Sequence, residues 1–174
     1  MRVYETFYSF QGEGSMVGVR TAFVRTAGCN LDCSFCDTDW KVKGSEFSLD
    51  WLPNETVEWI WLTGGEPLIQ DVTPYVNKWR GAGFKVAVET NGTFSLPCEF
   101  DHVTMSPKVK SDQLKLLKCD DLKVVVPAYD PLSYDLVVAN NRFVQPEWGS
   151  ELVKITVPKG WRLSMQNHKY WGVR

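Results

Sequence analysis

Residues 21–38 read Thr21-Ala22-Phe23-Val24-Arg25-Thr26-Ala27-Gly28-Cys29-Asn30-Leu31-Asp32-Cys33-Ser34-Phe35-Cys36-Asp37-Thr38. The first six, β-branched and aromatic, predict a strand. That strand runs straight into a loop with three cysteines spaced Cys-x3-Cys-x2-Cys, so the thiols are expected at a strand's C-terminal end. The same pattern of strand then distinctive loop recurs downstream. Residues 57–62 predict a strand leading into Thr63-Gly64-Gly65-Glu66-Pro67, and residues 68–79 carry Leu68, Ile69, Val72, Val76 and Trp79 at helical spacing, closed by Gly81 and Gly83. Residues 85–89 lead into Thr90-Asn91-Gly92-Thr93, residues 102–105 into Ser106-Pro107-Lys108, and residues 121–126 into Pro127. Residues 142–144, followed by Gln145-Pro146-Glu147-Trp148, and residues 162–165 complete the strands, while residues 4–10 with Gln11-Gly12-Glu13-Gly14 predict a strand and turn outside the alternation.

Such alternation indicates an α/β fold with a mostly parallel sheet, whose ligands bind at the carboxyl ends of the strands. At 174 residues the chain is short of the roughly 250 that a complete eight-unit βα barrel uses. The expectation is therefore one domain, residues 1–174, forming a partial, open βα barrel of about six parallel strands. Lys+Arg 19 against Asp+Glu 21 leaves a net charge of −2, with the basic residues dispersed. Neither a nucleic-acid nor a membrane-surface partner is expected from that balance. The sequence contains neither an apolar run of membrane-spanning length nor an N-terminal signal core, and a cytoplasmic location is expected.

Five cysteines suit paired disulfides badly, since three lie within eight residues and Cys98 and Cys119 stand alone as small buried hydrophobes. Three readings of Cys29, Cys33 and Cys36 stay open at this point. One is a core cluster, although a loop with Gly28, Asn30 and Asp32 is a poor place to bury thiols for packing. The second is zinc, which needs a fourth ligand that His102 and His168, the only histidines, do not supply as a pair. The third is an iron–sulfur cubane held through three irons, its fourth iron open to a non-protein ligand.

The other loops each admit a plain and a chemical reading. Gly64-Gly65 makes a tight turn or lets backbone approach a ligand closely. Glu89 and Asn91 offer acceptors and donors, or form an Asx turn with Gly92. Ser106-Pro107-Lys108 is a turn with a lysine. Arg25 stands in an otherwise apolar strand, where its guanidinium either snorkels to solvent or pairs with a carboxylate, a substrate's included. Asp37 and Thr38 cap the next segment or meet Mg²⁺. No Ser-His-Asp set or catalytic carboxylate pair stands out.

Taken jointly, these motifs resemble a family. Cys29-x3-Cys33-x2-Cys36 with Phe35, and Gly64-Gly65-Glu66-Pro67, are similar to the signature of radical S-adenosylmethionine enzymes. Phe10-Gln11-Gly12-Glu13-Gly14, Phe23-Val24-Arg25, Cys36-Asp37-Thr38, Val88-Glu89-Thr90-Asn91-Gly92-Thr93, Ser106-Pro107-Lys108 and residues 161–169 resemble the 7-carboxy-7-deazaguanine synthase family more narrowly, from residue 4 to the C-terminus. The resemblance implies a 4Fe-4S cluster on Cys29, Cys33 and Cys36, whose free iron is chelated by S-adenosylmethionine. It implies that Phe35, Gly65, Glu89, Asn91, Ser106, Pro107, Lys108, Gln145, Pro146, Glu147 and Trp148 hold that cofactor and that Thr38 ligates Mg²⁺. It places Phe10, Gln11, Gly12, Glu13, Arg25, Thr63, His168 and the carboxylate of Arg174 around the pterin. The implied reaction uses a 5′-deoxyadenosyl radical to convert 6-carboxy-5,6,7,8-tetrahydropterin to 7-carboxy-7-deazaguanine with loss of ammonia, in queuosine-type biosynthesis. An electron donor such as flavodoxin or ferredoxin and a homodimer are implied as well.

This chain is shorter than is usual for that family, and the loss is expected in connecting helices. Over residues 150–159, Val153, Ile155, Thr156 and Val157 favour strand over helix. Eight tryptophans offer apolar surface to a dimer or to the core. Two alternatives accompany the resemblance: a glycyl-radical-enzyme activating protein, against which residues 11–14 and 166–169 argue, and a non-catalytic zinc module.

Overall fold

The computed structural model describes residues 1–38, 43–151 and 155–174. Among them one nine-stranded sheet runs in the order β3-β1-β2-β4-β5-β6-β7-β8-β9. The strands are β1 Arg2–Phe10, β2 Arg20–Thr26, β3 Ser45–Glu46, β4 Trp59–Gly64, β5 Lys85–Thr90, β6 His102–Met105, β7 Lys118–Val126, β8 Val138–Pro146 and β9 Arg162–Leu163. β1 is antiparallel to both β2 and β3, and from β2 to β9 every pair is parallel. Neighbours in sequence are neighbours in space along the parallel run, so each crossover advances the sheet by one strand. The result is the open, partial βα barrel that the sequence predicts.

The crossovers are short. Helix α1, Thr73–Gly81, is the one α-helix between described strands, and the turns Ser111–Gln113 and Pro131–Tyr134 are 3-10. The single helix expected over residues 68–79 is in fact a 3-10 turn, Pro67–Ile69, followed by α1. Pro74 explains the break: it lacks an amide hydrogen and fits only a helix's first turn, where the Asp71 side chain accepts from the Thr73 amide at 3.0 Å. The helix stops at Gly81, and Gly83 two residues on takes a φ of +92° that suits glycine. Residues 155–157 form no strand, contrary to expectation; the edge of β8 that they would need is taken by β9, and Ser164 N extends that ladder to Val144 O at 2.9 Å. Val153 lies outside the described residues.

Strand alternation divides the core in two. Val24, Leu62, Val88, Val124 and Val144 pack with Tyr75, Val76 and Trp79 of α1 on the outer face. Phe23, Trp61 and Ala87 cluster on the other face with Phe7, Met16 and Trp59. With the side-chain period of two, Arg25, Thr63 and Glu89 share that second face, one step closer to the C-terminal strand ends. The apolar patch is thus the floor on which the functional residues stand. Trp61, Trp79 and Trp161 are buried, whereas Trp148 and Trp171 are exposed. No helix of the described residues is long and apolar enough to cross a membrane.

Candidate active site

The C-terminal strand ends open into one cavity of about 820 Å³. Cys29, Cys33 and Cys36 line it, as do Thr38, every residue expected around the pterin, and every residue expected around S-adenosylmethionine except Pro107, which is buried between Ser106 and Lys108. Residues from nearly the whole chain length converge there because the parallel strands all end on one side.

The cysteine loop is fixed by the neighbouring strand end. Glu66 N donates to Gly28 O at 3.0 Å and Gly65 N to Thr26 O at 3.3 Å. A β-carbon at Gly65 would stand 2.0 Å from Gly28 O, and one at Gly64, whose φ is +127°, would stand 2.4 Å from Thr26 O. The close approach that these glycines permit is therefore, in the first place, that of the cysteine loop itself. Glu66, fully buried, locks the next loop: its carboxylate accepts from Asn91 N at 2.6 Å, Thr90 Oγ1 at 2.8 Å and Leu68 N at 3.1 Å. Burial pushes its pKa up despite those donors. Asn91 forms the expected Asx turn, accepting from Thr93 N at 3.0 Å, and donates to Asn30 Oδ1 at 3.0 Å, which ties this turn to the cysteine loop.

All three cysteines are free thiols; Cys29 and Cys33 are partly buried and Cys36 is exposed. Burial pushes the Cys29 and Cys33 thiols up. Among the described residues no three His, Cys, Asp or Glu side chains converge on a point where a single metal ion would sit. Three thiols of one loop lining one cavity offer soft sulfur ligands of the kind that suits iron–sulfur chemistry. Lys108 faces this end of the cavity, with Nζ donating to Ser106 O at 3.1 Å and standing 5.9 Å over the Phe35 ring. Burial, reinforced by repulsion from Lys123, brings its pKa down to about 8.

The opposite end is charged differently. Arg25 donates from Nε to Glu5 at 3.0 Å and from Nη1 to Thr38 Oγ1 at 3.3 Å, while its guanidinium lies 5.6 Å from the Phe7 ring. It does not snorkel to solvent. Glu5 also receives the Arg174 guanidinium, and Ser9 Oγ donates to Arg174 O. For Mg²⁺ these residues offer the single hydroxyl of Thr38, which fits an ion that keeps waters and takes its other ligands from substrate. Asp37 is turned elsewhere, accepting from Lys169 Nζ at 2.6 Å and Gln166 Nε2 at 3.1 Å. Burial opposes ionisation of Asp37, but those two hydrogen bonds outweigh it and lower its pKa. Helix α2, Asn167–Trp171, brings in His168, whose pKa burial lowers. Its turn seats tightly: a β-carbon at Gly12 would lie 2.4 Å from His168 Nδ1.

Glu89 stands with the pterin candidates as much as with Asn91, accepting from Gln11 Nε2 at 3.1 Å and Trp61 Nε1 at 3.0 Å. Sequence reading missed Lys123, which lines the same region and pairs with Glu13. A lysine within Leu122-Lys123-Val124-Val125-Val126 carries the same signal that made Arg25 conspicuous. Glu5 and the clasp between Asp37 and Lys169 were missed too, because nothing local marks a pairing across 20 or 132 residues.

The fold and this cavity define an α/β protein of the open-barrel class, its candidate active site at the strand ends. The chain is 38% identical to 7-carboxy-7-deazaguanine synthase from Bacteroides thetaiotaomicron, with 99% of this chain and 98% of that protein covered. It is 35% identical to the synthase of that name from Nitratidesulfovibrio vulgaris (99% and 98% covered) and 30% to that from Synechocystis sp. (99% and 93%). The crystal structure of QueE from Escherichia coli superposes with a TM-score of 0.72 at 25% identity, covering 94% of this chain and 92% of that one. No protein-family model matches the chain. The chain belongs to the 7-carboxy-7-deazaguanine synthase family.

Proposed function

We propose that this chain converts 6-carboxy-5,6,7,8-tetrahydropterin to 7-carboxy-7-deazaguanine with loss of ammonia, using a 4Fe-4S cluster, S-adenosylmethionine and Mg²⁺. The observation that carries this reading is the single cavity in which the three-cysteine loop faces Arg25, Glu13 and His168. Its volume lies toward the upper end of the roughly 300–1,000 Å³ usual for small-molecule sites, as a chamber shared by two ligands requires.

When bound, the cluster and S-adenosylmethionine supply a hydrogen-abstracting radical, chemistry that belongs to the cofactors. The residues of the chain bind, orient and shield. Cys29, Cys33 and Cys36 are the cluster's ligands, and Asn91, Ser106, Lys108 and Gly65 border the space beside them. Arg25, held side-on by Glu5, presents the rest of its guanidinium to the substrate carboxylate; Thr38 contributes a Mg²⁺ ligand next to it. Gln11, Glu13 and His168 offer hydrogen-bond partners for the pterin ring. The floor of Phe23, Trp61 and Ala87 excludes water from beneath. A small one-electron donor protein, of the flavodoxin or ferredoxin kind, would deliver its electron near the exposed Cys36.

Anaerobic protein reconstituted with iron and sulfide, then given reductant, S-adenosylmethionine, Mg²⁺ and the carboxytetrahydropterin, is expected to form the deazapurine chromophore. Cleavage of S-adenosylmethionine without that product contradicts the substrate assignment.

A further inference from the structure

Lys123 is a residue that the proposed reaction leaves without a task. Its side chain is 4% exposed on β7, within the cavity wall. A buried ammonium is costly unless paired, and two carboxylates surround this one: Glu13 in direct contact and Glu89 Oε2 at 3.9 Å. The Glu13 side chain is itself only 10% exposed. Burial works against the charged form of each, yet their mutual attraction outweighs it, lowering the pKa of Glu13 and raising that of Lys123.

The same strand grips the same loop a second time. Asp121, two residues before Lys123 and on the same strand face, accepts from Ser15 N at 2.7 Å and Ser15 Oγ at 2.8 Å. The segment carrying Gln11, Gly12 and Glu13 is thus pinned by β7 at two points, and only Lys123 acts on a side chain aimed into the cavity. An ionised carboxylate accepts hydrogen bonds and donates none, so it complements a ligand edge that presents two N–H groups, such as the amino-pyrimidine edge of a pterin. If protonated, the same group would turn a donor toward those donors.

We propose that Lys123 is a positioning residue for pterin recognition, acting through Glu13: its ammonium keeps that carboxylate charged and fixed against the cavity so that it accepts from the ligand's amino-pyrimidine edge. This rests on the cavity being the pterin site. The other charged groups around the pair are His168 from α2 and Lys108 from the loop after β6, which act on Glu13, and Glu89 from β5 and Asp121, which act on Lys123. Lys123 itself lowers the pKa of Lys108 and of His168, so Lys123→Met shifts those two as well, and the Glu13→Gln background, which keeps these shifts and removes the carboxylate, isolates the part that runs through Glu13.

The test is equilibrium binding of 6-carboxypterin, an aromatic analogue that does not turn over, to cluster-loaded protein with S-adenosylmethionine and no reductant, followed by pterin fluorescence across neutral pH. Lys123→Met is expected to weaken binding about tenfold or more at pH 7, with the deficit shrinking as pH rises and the unpaired Glu13 ionises. Lys123→Arg should restore a pH-independent ratio to wild type. On a Glu13→Gln background, which removes the carboxylate's charge and leaves the pair uncharged once Lys123 is Met, Lys123→Met should cost nothing further. Unchanged binding by Lys123→Met, or the same loss with and without Glu13, overturns the proposal. Wild-type protein that binds S-adenosylmethionine but no pterin overturns the site assignment and the proposal with it.

Discussion

A β-carbon at Gly65 would meet Gly28 O at 2.0 Å and Cys29 Cβ at 3.1 Å, so Gly65→Ala must displace the backbone that carries the first thiol. Overpacking of this kind costs about 1–3 kcal/mol. Gly65→Ala is expected to lose that much in urea unfolding and to take up less iron on reconstitution; full iron uptake would show that the contact between strand end and loop does not set the cysteine geometry. Arg25 makes a second case. Its guanidinium spans Glu5 and Thr38 at once, a reach that one ammonium does not reproduce. Arg25→Lys is therefore expected to raise KM for the carboxytetrahydropterin about tenfold or more while leaving the cluster spectrum unchanged, and wild-type kinetics in that variant would remove Arg25 from substrate binding. Residues of this kind were legible in the sequence where they broke a local pattern: thiols in a turn, a guanidinium in an apolar strand, paired glycines after another. The role of the glycines was only half legible, since the neighbour they admit is defined by β2 and β4 lying side by side.

At the scale of elements, the parallel strands were readable because a buried strand announces itself by β-branched and aromatic runs, and the loop after each carries the chemistry. The two-residue strand β3 and the start of α1 were less readable, since a pairing partner and a proline's position within a helix decide them, whereas β9 falls within the strand expected over residues 162–165. Helix α2 shows how a short element gains a fixed place. Its Lys169 and the preceding Gln166 both bind Asp37, one residue past the last cysteine, so the C-terminal segment is clasped to the cysteine loop. Asp37 is about half exposed, and such pairs contribute about 1 kcal/mol or less to stability. Asp37→Ala is accordingly expected to leave the melting temperature nearly unchanged but to speed amide hydrogen exchange in residues 167–171 and to weaken pterin binding through His168. Unaltered exchange there would show that the clasp does not hold the helix.

For the whole molecule, the buried charges set a pH response. Glu13 and Asp121 have lowered pKa values because Lys123 for the first, and the nearby His102 ring (Nε2 at 3.6 Å) with hydrogen bonds from Ser15 and Asn141 for the second, outweigh their burial; Asp37 is lowered as well. A lowered folded pKa gives stability that is complete above the ordinary carboxyl value and lost as pH falls through the folded value. Lys123, raised, gives stability that is complete below the ordinary lysine value and lost only as pH rises through its own. Glu66 acts in reverse, since protonation relieves the cost of its buried charge. With three lowered carboxyls against one raised among the described residues, the melting temperature should hold from about pH 5 upward and fall below about pH 4; a rise there would contradict this balance of charges. The central claim concerns the cavity itself, a three-thiolate cluster with one iron open beside a pterin pocket. It is tested most directly by an iron and sulfide count on anaerobically reconstituted protein, joined to the electron paramagnetic resonance of its reduced form with and without S-adenosylmethionine. About four irons per chain and a spectrum that changes when S-adenosylmethionine is added are predicted; zinc in place of iron, or a cluster spectrum indifferent to S-adenosylmethionine, would contradict it.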